Sequence, residues 1–149
     1  MALEVSREIE ELAERMLSDA HELILSGWCQ GAGARDEIGR AIEPSSAFAR
    51  RWSAPGALER IWRRDHRDPD AALEAFERAN LALAAAVKDV PERWNDAAAR
   101  TQEEVLSALL DARRYVAAGS GEPPDLLDDL LDGLDRRDAI PGFISEQPA

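Results

Sequence analysis

The chain has 149 residues, 45% of them apolar and 32% charged, and a net charge of −12, which fits one globular domain. So acidic a chain is repelled by nucleic acid and by anionic membranes. Its single cysteine excludes an intramolecular disulfide and any multi-cysteine metal site, and no apolar run is long enough to span a bilayer.

Ala and Leu dominate the apolar set while Val, Ile, Tyr and Phe are sparse, a balance that favours helix over strand. The N-terminal stretch is acidic and amphipathic, unlike a signal peptide, and implies a cytoplasmic location. Residues 6–26 read as the first helix, with Ile9, Leu12, Met16, Ala20, Leu23 and Ile24 on one stripe, Ser6 as N-cap and Gly27 as the stop. Residues 27–45 hold four Gly and one Pro, which predicts a long irregular crossover. Within it Ala34-Arg35 and Arg40-Ala41-Ile42 can pair as a small β-hairpin around Asp36–Gly39.

Residues 46–66 return to helical spacing through Phe48, Trp52, Leu58, Ile61 and Trp62, with Pro55 predicting a kink or split near Ser53. Asp68-Pro69 is a helix start, and Leu73, Phe76, Asn80, Leu83 and Val87 extend that helix to about Val87. Residues 90–96 are a connection. Thr101 and Glu104 form a capping box ahead of a helix that ends near Gly119. Gly119–Pro124 is a linker by composition, followed by a Leu/Asp-rich segment with Leu127, Leu130, Leu131 and Leu134 on one helical face. The expected architecture is all-α: a four-helix bundle-like domain over 1–118 with the 27–45 crossover, and an acidic helical extension over 119–149.

Charge is uneven. Residues 33–67 carry eight Arg against five acids, a local +3, whereas 119–149 carry eight acids against two Arg, a local −6. The basic stretch reads as a solvated face that pairs with neighbouring acids. There is no phosphate-binding glycine loop, nucleophile elbow or paired-histidine helix. His21, Cys29 and His66 lack metal-ligand spacing, so neither a metal nor a cofactor is expected. Cys29 reads as a small buried group beside Trp28, since a nucleophilic thiolate needs a base nearby.

Trp28-Cys29-Gln30-Gly31-Ala32 after Gly27, then Gly56-Ala57-Leu58, then Trp94-Asn95-Asp96 with Arg100-Thr101 and Glu104-Val105-Leu106, resemble a family of small helical proteins from high-GC bacteria whose domain has no known function. The resemblance covers about residues 8–117. It departs where Ser53 follows Trp52 in place of the family's cysteine, where Pro55 intrudes, and in the extension. It implies motif positions and a domain boundary, and no activity.

Two functions follow as expectations. The first is a non-enzymatic binding or adaptor protein that engages a protein partner, or a second copy of itself, through Leu127, Leu130, Leu131 and Leu134. The second is a small-molecule binding protein or enzyme with a site between loop 27–36 and turn 94–101. Its ligand-binding residues would be Trp28, Cys29, Gln30, Arg35, Asp36, Trp94, Asn95, Asp96 and Arg100, with Arg35 and Arg100 pairing with Asp36 or Asp96.

Overall fold

The computed structural model describes residues 2–65 and 67–118. His66, the linker and the extension with its four leucines lie outside the described residues. Among those described, the chain is mostly helical, with a small three-stranded antiparallel sheet. In chain order these are α1 (Ala2–Ser26), β1 (Ala34–Arg35), β2 (Ala41–Ile42), β3 (Arg51–Trp52), α2 (Ala54–Arg63), α3 (Pro69–Val87), α4 (Pro91–Asn95) and α5 (Gln102–Ala117).

α1 is the central element and packs on α5, α3 and α2. Its buried stripe of Ile9, Ala13, Met16, Leu17, Ala20 and Ile24 meets Leu58, Leu83, Val105, Leu109 and Val116. The repeat of i, i+3/i+4 apolar positions forces this arrangement, because only one face of each helix can leave water. Much of the core is alanine, which lets helix axes approach closely; Ala72, Ala75, Ala79 and Ala82 place α3 against its neighbours.

The hairpin forms as the sequence implied, with Ala34 opposite Ile42 and Arg35 opposite Ala41. A third strand was missed. β3 lies on the other edge of β1, Ala34 opposite Trp52 and Arg35 opposite Arg51. The segment 46–66 does split near Ser53, as Pro55 implied, but the helix expected before the split is corrected: Arg51–Trp52 is a strand and α2 begins at Ala54. Ser53 caps α2, its hydroxyl accepting from the Gly56 amide at 3.0 Å. Pro55 sits in the first turn, where a missing N–H costs nothing. What looked like a kink is a strand-to-helix boundary. α1 also starts earlier than Ser6, at Ala2. The start at Asp68-Pro69 and the Thr101–Glu104 capping box both form.

Candidate functional site

The short helix α4 delivers Asn95 into the interior, where it is fully buried. Its Oδ1 accepts from Trp28 Nε1 at 2.9 Å and from the Ala54 amide at 3.0 Å. Its Nδ2 donates to the Cys29 carbonyl at 3.1 Å and to Asp96 Oδ1 at 3.0 Å. A carboxamide offers two N–H bonds and two lone pairs, so Asn95 is saturated. The Ala54 amide is one of the orphan donors at the start of α2. One side chain thus joins the crossover, the α2 N-terminus and α4.

The remaining motif residues extend this knot. Gln30 Nε2 donates to the Asn95 and Ala97 carbonyls at 2.9 and 2.8 Å. The Gly31 amide donates to Asp96 Oδ1 at 3.0 Å, with Gly31 at φ 80°, a conformation that favours glycine. Arg100 lies over the Trp94 ring at 3.9 Å from its centroid and donates to the Trp94 carbonyl at 2.9 Å. Its other ionic contact is Glu104, at 3.3 Å.

The expected pairing of Arg35 and Arg100 with Asp36 or Asp96 is corrected. Arg35 donates to the Gln30 and Gly39 carbonyls, at 2.9 to 3.1 Å. Those carbonyls belong to tight turns, and the planar guanidinium reaches both at once. Asp36 comes directly after β1, at the start of the hairpin turn. There it accepts from the Ile38 and Arg40 amides at 3.1 and 2.9 Å and from Arg40 Nε at 2.9 Å. Burial pushes its carboxyl up, but the Arg40 amide and guanidinium and the Ile38 amide outweigh this and hold it below the ordinary carboxylate value.

Cys29 is buried, and its Sγ lies 3.7 Å from the Ala32 carbonyl. Burial pushes the thiol above its ordinary value, with Asp96 adding to the rise and Arg35 and Arg51 opposing it. A thiol held neutral at physiological pH is a poor nucleophile. Among the described residues, no group of three or more His, Cys, Asp or Glu could hold a metal ion, and no helix is long and apolar enough to cross a membrane.

Beside the knot, Gly31–Gly33, Ser53, Pro55 and Gly56 line a groove of about 290 Å³ rimmed by Glu59, Glu92 and Asp96. Gly33 and Gly56 touch there: a Cβ on Gly56 would overlap the Gly33 carbonyl. Two features escaped the sequence reading. Arg60 Nη1 donates to the Pro44 and Ser46 carbonyls at 2.9 and 2.8 Å, while Trp52 Nε1 also donates to Pro44, at 3.0 Å. Nothing marks Arg60 among the eight arginines of that stretch. The second feature is an apolar pair, Ile38 and Phe48, 73% and 70% exposed on one shallow depression of the sheet tip.

A family model described as a family of unknown function, DUF6197, matches residues 9–115. The matched span runs from Ile9, a buried position of α1, into the last turn of α5. No curated protein and no solved structure matches the chain.

Proposed function

We propose that this chain, which belongs to the family of unknown function DUF6197, is a non-enzymatic binding or adaptor protein that engages a protein partner. In this reading the long helices α1, α2, α3 and α5 act as a four-helix bundle that carries the contact surfaces. One surface is the extension, whose Leu127, Leu130, Leu131 and Leu134 lie outside the described residues. The observation that supports the reading within the domain is the exposure of Ile38 and Phe48. Both are large, both are near three-quarters exposed, and they adjoin on one tip. Contiguous exposed apolar surface on an otherwise charged protein marks contact sites. Asn95 and Gln30 support it by subtraction, since their side-chain bonds are made within the protein rather than offered to a substrate.

The test is affinity capture with the full chain from its native host. Three baits are compared: the parent, Ile38→Ser/Phe48→Ser, and a variant with the four extension leucines changed to Ser. A protein captured by the parent and lost from either variant supports the reading. Identical capture by all three baits would sink the tip and the extension as the surfaces that bind the partner.

A second reading, a small-molecule site, draws on the groove of about 290 Å³ beside Gly31–Gly33 and its carboxylates Glu59, Glu92 and Asp96. It predicts a small molecule that copurifies equally with all three baits and is lost on Gly33→Leu.

A further inference from the structure

The chain reverses between α3 and α4 through Lys88, the one non-glycine position with positive φ among the described residues, at 58°. Its amide donates to the Ala84 carbonyl at 2.7 Å. Val90 and Pro91 then start α4 beside the last turns of α3. Between them runs a groove of about 550 Å³. Its apolar wall is Leu81, Ala84, Val90 and Pro91, and Leu81 is 39% exposed.

Every charged residue lining this groove is a carboxylate: Glu77, Asp89 and Glu92. Asp89 is engaged, with Arg93 at 3.7 Å and the Val90 amide at 2.7 Å. Glu77 and Glu92 are exposed and make no ion pair among the described residues.

We propose that this groove docks a short basic amphipathic segment of another protein, with apolar anchors against Leu81 and Val90 and flanking Lys or Arg on the Glu77 and Glu92 rim. Apolar anchors seated in a groove supply the affinity of such contacts. Charge on the rim selects the partner and steers its approach, and the net −12 of the chain adds to that steering. The same field excludes this chain's own 119–149 segment, a local −6, as the occupant. The proposal rests on the protein-binding reading above but uses a different surface, so Ile38→Ser/Phe48→Ser leaves it untouched.

The experiment titrates the isotope-labelled full chain with a synthetic amphipathic peptide of Leu and Lys, following backbone amide resonances. The expected result is saturable shifts at Leu81, Ala84, Asp89, Val90 and Glu92, which are absent with the Leu/Glu counterpart. Glu77→Gln/Glu92→Gln should weaken binding about fivefold and steepen no other contact. Leu81→Ser should weaken it about tenfold. Both changes are at exposed positions, and thermal melting verifies that each variant is folded. Glu8→Gln/Glu11→Gln, on the exposed side of α1, removes equal charge and should leave the affinity unchanged. Three results overturn the proposal. One is equal weakening by the α1 control, which means the overall field alone attracts the peptide. Another is shifts centred away from the groove, or none. The last is displacement of the peptide by putrescine with Leu81→Ser having no effect, which makes the groove a site for small amines.

Discussion

The crossover between α1 and α2 contains two regions of opposite character. At Trp28–Gly31 the chain is fastened by side chains from α4 and the following turn, and every polar atom of Asn95 has a partner. At Asp36–Phe48 the backbone is equally well tied, through Asp36, Arg35 and Arg60, yet the largest side chains face water. A distinctive residue string and an exposed apolar surface are therefore separate things in this protein. The string builds the frame; the anonymous-looking tip carries the exposed apolar side chains.

The largest effect expected from breaking this contrast is at Asn95. Asn95→Ala leaves the buried Ala54 amide and Cys29 carbonyl, and the half-buried Trp28 indole N–H, without their Asn95 partner, and should cost about 3–5 kcal/mol. Denaturant unfolding measures it, and a cost under 1 kcal/mol would mean that water replaces the carboxamide. Gly56→Ala comes next, at about 3 kcal/mol, because the Gly33 carbonyl must move to admit a methyl group. Thr101→Ala lies at the edge of the knot and removes one cap hydrogen bond, of 3.2 Å to the Glu104 amide. About 1 kcal/mol should be lost, and an unchanged midpoint would show that the box is idle.

Acid should act on the tip. Asp36 is held below its ordinary value of 3.8, so its stabilising contribution is complete above that pH and is lost as pH falls through the lower folded value. Melting temperatures of the parent and Asp36→Asn should differ at neutral pH and converge in acid. Parallel curves would show that the carboxylate charge is irrelevant. The smallest effect belongs to Ile38→Ser/Phe48→Ser, which should shift stability by no more than about 0.5 kcal/mol. A large loss would make the pair part of the core and remove it as a contact surface.

The sequence was most informative where local chemistry decides structure. The capping box at Thr101, the start at Asp68-Pro69 and the hairpin around Asp36–Gly39 each follow from interactions within a few residues. It misled over 46–66, because Phe48, Trp52, Ile61 and Trp62 have helical spacing although only the last two are helical. Pro55 marked the break near Ser53, where α2 starts, but the apolar rhythm hid the strand that precedes it. For the knot, proximity of the two motif strings was legible but the wiring was not. Opposite charges drew attention to Arg35, Asp36, Asp96 and Arg100, whereas the neutral Asn95 and backbone carbonyls make most of the bonds. No local pattern announces a bond such as Asn95 to Ala54, 41 residues apart.

The central place of α1 has a consequence for the order of synthesis. Gln102 at the start of α5 donates to the Ile24 carbonyl at the end of α1, across 78 positions. α1 is thus held largely by elements that follow it late in the chain, α3 and α5 above all. Until α3 and α5 emerge, Ile9, Met16, Leu17 and Ile24 have only α2 and the crossover to cover them, and part of the stripe stays exposed to water. Completion of the described core waits for α5, so a chain halted before it would leave the α5-facing side of the α1 stripe uncovered.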